Sequence, residues 1–180
     1  LGDVYKRQVF HRTLRGKAPD RKDRSRKMTD SRKRILALFY CRNIPESSET
    51  DRQAIETAHG QQIRLFPLPC SGRLEPMHLL RALEEVADAA YLITCPEGAC
   101  RYFEGNRRAK MRVERTREIL AAIGLEPERA GIVMGSKEAP RTLAQHAAEI
   151  FDKISQMGPS PALKRPANET FACEKRRDWL

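Results

Sequence analysis

Four short apolar runs punctuate a largely polar chain: Ile35 to Tyr40 (ILALFY), Ile63 to Pro67 (IRLFP), Ala89 to Thr94 (AAYLIT) and Ala130 to Met134 (AGIVM). Three of them are nearly continuous in hydrophobicity rather than alternating, as parallel strands buried on both faces require. Between them, apolar positions recur at helical spacing. The first helix is predicted over about Thr50 to His59, opened by a Thr50-x-x-Gln53 capping box, with a thin apolar face of Ala54, Ile55 and Ala58. The second runs from about Glu75 to Ala87 with Pro76 in its first turn, where the missing N–H costs nothing, and turns Leu79, Leu80, Leu83, Val86 and Ala87 inward. A third follows Gly105 and stops near Gly124, with Ala109, Val113, Leu120 and Ile123 inward. A fourth carries Leu143, Ala147, Ile150 and Ile154 on one side.

Strand and helix thus alternate, which predicts an α/β protein: a Rossmann-like or flavodoxin-like three-layer sandwich with a four-stranded parallel sheet. No repeat of solenoid period interrupts it. A chain of 180 residues suits one such core. No apolar run is long enough to span a bilayer, so no membrane partner is expected.

The predicted topology changes how the cysteines read. Cys41 follows the first strand, Cys70 lies just past the second, and Cys95 follows the third. In an open parallel sheet all strands end on one edge, the edge where ligands bind. Cysteines distant in sequence are therefore delivered to one rim, and Cys100 joins Cys95 through a Cys95-Pro-Glu-Gly-Ala-Cys100 loop. Core packing alone explains a buried cysteine, but it has no reason to choose strand ends over strand middles. Four thiolates there could hold an iron–sulfur cluster or a zinc ion. Pro96 and Gly98 shape a tight turn, and Cys70-Ser71-Gly72-Arg73 another, in which backbone N–H groups can point at sulfur. Arg101, Arg107 and Arg108, close after Cys100, are candidates for tuning a negatively charged cluster or docking an acidic partner. Arg115 and Arg117, further along, read as a solvated face.

Other chemistries lack their motifs. There is no G-x-G-x-x-G after the first strand and no P-loop, and Gly135-Ser136-Lys137 is a fragment of neither. His59, His78 and His146 are scattered singly and read as surface or helix-end residues.

Charge adds a caution. The formal net charge is +10, which by itself suggests a polyanion partner. Yet residues 1–27 contribute +7, residues 28–157 only +1, and residues 158–180 a further +2. The opening LGDVYKRQ looks like a translated transposon end, and Met28 begins MTDSRKRILALFYC as a true start would. Residues 1–27 are accordingly expected to be a non-native or disordered basic leader, 28–157 the functional domain, and the proline-rich 158–180 a flexible tail that includes Cys173 and Trp179. Nucleic-acid binding would rest almost wholly on the leader, so no nucleic-acid partner is expected. With no apolar stretch for a secretory signal, the chain is expected to be cytoplasmic and its thiols reduced.

Several segments together resemble a known family. Pro69-Cys70-Ser71-Gly72-Arg73, Glu75-Pro76 and Leu79-Leu80-x-Ala82-Leu83-Glu84 are followed by Cys95-Pro-Glu-Gly-Ala-Cys100-Arg-Tyr102, Gly105-Asn106, Arg112-Val113-Glu114 and Gly124-Leu125-Glu126. In this order they closely resemble the small iron–sulfur (delta) subunit of methyl-viologen-reducing hydrogenases, over about Ile35 to Pro159. The resemblance implies an electron-transfer subunit with a 2Fe-2S cluster and no independent catalytic site. It also implies partners: a hydrogenase or dehydrogenase module on one side and a heterodisulfide reductase A-like flavoprotein on the other. By position, Cys70, Cys95 and Cys100 match the family's later cysteines, and Cys41 matches the first of a C-x-x-C pair. Here the second position of that pair is Ile44, and the aromatic residue before it is replaced by Asn43. The expected metal ligands are thus Cys41, Cys70, Cys95 and Cys100, with none to spare. Two rival readings remain: a structural zinc-binding interaction module on the same thiolates, and a thiol-redox protein cycling Cys95 and Cys100.

Overall fold

The computed structural model describes residues 33–44 and 47–163, so the basic leader, Cys173 and Trp179 lie outside the described residues. Four strands form one sheet: β1 (Leu36–Cys41), β2 (Ile63–Leu68), β3 (Ala89–Thr94) and β4 (Ala130–Met134). Every pairing is parallel and the order is β2-β1-β3-β4. Four helices connect or follow them: α1 (Glu49–His59), α2 (Pro76–Glu85), α3 (Gly105–Ala122) and α4 (Leu143–Ser155). The α/β sandwich with a four-stranded parallel sheet is therefore as the sequence predicts.

The near-continuous strands are apolar because both faces are covered. Leu36, Leu38, Tyr40, Tyr91 and Ile93 pack with Ile55 of α1 and Leu143, Ala147, Ile150 and Ile154 of α4. The alternate residues Ala37, Phe39, Ala90 and Leu92 pack with Leu79, Ala82 and Leu83 of α2 and Ala109, Val113 and Leu120 of α3. The period of two along each strand sends successive side chains to opposite layers.

Chain direction across the sheet reverses between β1 and β3. The first connection leads outward to β2, and the second returns past β1 to β3, with α2 on the opposite face from α1. The carboxyl ends of β1 and β3 flank this switch point, where open α/β sheets bind ligands.

Local details depart from the pattern at several positions. The cap of helix α1 lies two residues ahead of the expected Thr50, because the Ser48 hydroxyl accepts from the Asp51 N–H at 3.1 Å. Ile123 is exposed rather than inward, since α3 ends at Ala122 and Ile123 occupies its cap with ψ near 7°. His146 is buried on the inward face of α4, three residues after Leu143, rather than at the surface. His59 packs its ring against Phe151, and His78 Nδ1 accepts the Glu75 N–H at 2.9 Å in the cap of α2.

The start of the predicted tail is pinned to the domain. Arg129, 1% exposed, donates to the carbonyls of Asp88, Gly158 and Pro159 at 3.0, 3.1 and 3.3 Å and pairs with Glu126. Asp88 in turn accepts from the backbone N–H groups of Ile35 and Ser160, each at 2.9 Å, which joins the entrance of β1 to residue 160. Among the described residues no helix is long and apolar enough to cross a membrane.

Candidate metal centre

Cys41 is the last residue of β1 and Cys95 the first after β3, so adjacent parallel strands set two thiols side by side at the switch point. Their Sγ atoms lie 3.5 Å apart. Cys70, two residues past β2, caps a single 3-10 turn over Ser71–Arg73, and its Sγ accepts the Gly72 N–H at 3.4 Å. Cys100 closes the loop that enters α3. All four are free thiols; Cys41, Cys70 and Cys95 are buried and Cys100 half-buried.

Cys70 and Cys100 meet over the first residue of α3. A Cβ on Gly105 would stand 2.6 Å from Cys70 Sγ and 2.9 Å from Cys100 Sγ, so only hydrogen fits. A Cβ on Gly72 would come within 2.8 Å of the Gly105 Cα, so the Cys70 turn and the helix start touch backbone to backbone. The sulfurs therefore gather as two pairs, Cys41 with Cys95 and Cys70 with Cys100. Among the described residues no three His, Cys, Asp or Glu side chains close on a point as a single metal ion would need.

Hydrogen bonds and charge act on these thiols as a group. The Cys95 thiol donates to Cys41, whose pKa is lowered to about 6 by that bond and, against the cost of burial, by the N–H groups of Asn43 and Ser71. Cys95 is pushed the opposite way by the same bond, by burial and by the neighbouring Cys41 and Cys100 sulfurs, so the pair shares a proton. Burial raises Cys70, the Gly72 N–H partly offsets it, and charge on Cys100 or Cys41 would raise it further. The N–H donors come from the Cys70 turn and from Asn43. In the loop between Cys95 and Cys100 the Ala99 N–H instead closes on the Pro96 carbonyl at 3.1 Å, with Gly98 at φ 69°.

Three supporting residues, which the sequence offers only as parts of the family resemblance or as a departure from it, hold the loops in place. Asn43 donates to the Pro69 carbonyl at 2.7 Å and to Cys41 Sγ at 3.7 Å, tying the ends of β1 and β2 together. Asn106 donates to the Pro96 carbonyl at 3.0 Å and the Cys95 carbonyl at 3.4 Å, which fixes the loop on the start of α3. Arg112 donates to the Leu74 carbonyl at 3.0 Å and pairs with Glu75 at 2.7 Å, clamping the Cys70 turn against α3. Ile44, at the position of the missing cysteine, is buried in the core that holds Cys41 and Cys95.

The predicted arginines stand at the surface around the entry to α3. Arg101, Arg107 and Arg108 are exposed, and Arg108 pairs with Glu104 at 3.4 Å. Arg108 does line a cleft of about 530 Å³ with Cys70, Arg73, Tyr102 and Phe103. Tyr102 and Phe103 are 56% and 91% exposed on its rim, large apolar surfaces beside Cys100.

The sandwich with thiols at its switch point defines a flavodoxin-like protein whose ligand edge offers soft sulfur donors. A family model described as "methyl-viologen-reducing hydrogenase, delta subunit" matches residues 36–158, and the chain belongs to that family. It is 33% identical over 130 residues to the vhu iron-sulfur subunit of the F420-non-reducing hydrogenase of Methanopyrus kandleri, covering 72% of this chain and 98% of that protein. The vhc iron-sulfur subunit of the corresponding hydrogenase of Methanococcus voltae is 35% identical over 97 residues, covering 54% of this chain and 67% of that one. A third similarity, 31% over 109 residues, is to the A-type component of the ferredoxin:CoB-CoM heterodisulfide reductase of Methanosarcina mazei; it covers 60% of this chain but 14% of that component.

Proposed function

We propose that this chain is an electron-transfer subunit of a hydrogenase or heterodisulfide-reductase-type complex, with a 2Fe-2S cluster held by Cys41, Cys70, Cys95 and Cys100. The observation that carries the reading is the gathering of four free thiols as two pairs at the switch point. Two sulfurs for each of two irons suits this division; one tetrahedral ion would need four sulfurs around one point. Backbone N–H groups already directed at Cys41 and Cys70 favour the thiolate forms that ligate metal. The iron–sulfur wording in the names of the similar hydrogenase subunits is consistent with the same cofactor.

Such a cluster would supply one-electron exchange. The protein's own part is to hold it: Gly105 and Gly72 allow close approach, Arg112 and Asn106 brace the loops, and the apolar layers exclude water from three of the four sulfurs. Residues 28–157 are the working domain, braced by the contacts that Gly158, Pro159 and Ser160 make with Arg129 and Asp88. The exposed Arg101, Arg107 and Arg108, with Tyr102 and Phe103, offer an acidic partner a cationic and aromatic face next to Cys100. Its expected occupants are a heterodisulfide reductase A-like flavoprotein and a hydrogenase or dehydrogenase module. Cycling of Cys95 with Cys100 is less favoured, because the thiol that Cys95 contacts is Cys41. Anaerobic purification of the full chain, followed by assay of iron, zinc and acid-labile sulfide, tests the proposal. Iron with equimolar sulfide supports it, and stoichiometric zinc without sulfide refutes it.

A further inference from the structure

Ser71 is completely buried, and its hydroxyl has no hydrogen-bond partner among the described residues. Other buried hydroxyls of the domain are satisfied within the protein: Thr94 donates to the Cys95 carbonyl at 3.1 Å and Thr116 to the Arg112 carbonyl at 2.9 Å. A hydroxyl removed from water without a partner is destabilising, and alanine would fill nearly the same space without that cost. The position is also particular. Ser71 lies between Cys70 and Gly72, the donor to Cys70 Sγ, and its backbone N–H is among the groups that lower the Cys41 pKa. It therefore stands beside both thiol pairs, joined to Cys70 through the chain and placed so that its N–H acts on Cys41.

We propose that the Ser71 hydroxyl is a positioning and tuning residue that donates a hydrogen bond to sulfur of the bound cluster, raising its reduction potential. The inference rests on the cluster reading above. A hydrogen bond to sulfur stabilises the more negative, reduced form, so its loss lowers the potential. Ser71 does not ligate metal, so its removal leaves the four thiols in place.

The test compares full-length wild type, Ser71→Ala and Ser71→Thr, each purified anaerobically and assayed for iron and sulfide before a redox titration followed by electron paramagnetic resonance. The expected result is unchanged cluster content in Ser71→Ala with its reduced-to-oxidised ratio at a fixed potential about tenfold lower, a midpoint shift of ~59 mV for a one-electron couple, and restoration in Ser71→Thr. Thermal melts of the metal-free chains give a second reading: Ser71→Ala should melt at or above wild type. A midpoint unchanged in Ser71→Ala overturns the proposal, as does a metal-free Ser71→Ala that melts well below wild type, because the hydroxyl would then have a partner within the protein. If Ser71→Ala fails to retain the cluster while Ser71→Thr retains it at the wild-type potential, the hydroxyl is needed and the proposal stands. Wild type that holds no iron and sulfide fails the cluster reading itself and overturns this inference with it.

Discussion

Cys95 Sγ lies 3.5 Å from Cys41 Sγ although 54 residues separate them in the chain. The contact exists because β1 and β3 are neighbours in the sheet and end level with one another. Proton sharing in this pair has a measurable consequence. In metal-free, reduced protein, ultraviolet thiolate absorbance should rise as pH passes through about 6, where Cys41 ionises with the Cys95 thiol as its donor. Cys95→Ala removes that donor, and the same absorbance should move toward the ordinary thiol range of about 8.5. The thiolate form is present above the lowered pKa and lost below it, so the variant differs most from wild type between these two values.

Gly105→Ala forces a methyl group onto two sulfurs at once. With the new Cβ at 2.6 and 2.9 Å from Cys70 and Cys100, the helix start must shift or the thiols must separate. The expected cost is about 1–3 kcal/mol of stability, measured by denaturant midpoint, together with loss of most bound iron. Gly124→Ala, at φ 78° with nothing near its side, should strain the backbone but leave iron content unchanged.

Ending the chain after Met157 removes two of the three carbonyls that receive Arg129, together with the Ser160 N–H that meets Asp88. A buried guanidinium left short of acceptors should cost about 1–3 kcal/mol, read as a lower denaturant midpoint. A chain ending after Leu163 keeps these contacts and should match the full protein. Glu126, whose pKa Arg129 lowers, stabilises above the normal carboxylate range, and that contribution should be lost as pH falls through the lowered value.

Strands and layers were the most legible features of the sequence. The limits of β3 and β4 coincide with the apolar runs Ala89 to Thr94 and Ala130 to Met134. The convergence of the cysteines was legible for a topological reason: parallel strands share one carboxyl edge. Their pairing was not, since it depends on which strands are neighbours; the sequence suggested Cys95 with Cys100, whereas strand order places Cys95 against Cys41. Arg129 left no signal, as an arginine in Pro-Glu-Arg-Ala reads as a surface turn and its acceptors come from residues 88, 158 and 159. His146 did leave one: it lies on the same helical face as Leu143 and Ile150.

The cluster assignment is tested most directly by iron and sulfide content in single serine variants of all five cysteines, purified anaerobically as full-length protein. Wild type should hold about two iron and two sulfide per chain, the content of one 2Fe-2S cluster. Cys41→Ser, Cys70→Ser, Cys95→Ser and Cys100→Ser should each lose most of both, and Cys173→Ser should lose neither. Full content in any of the first four, or its loss in Cys173→Ser, would contradict the assignment.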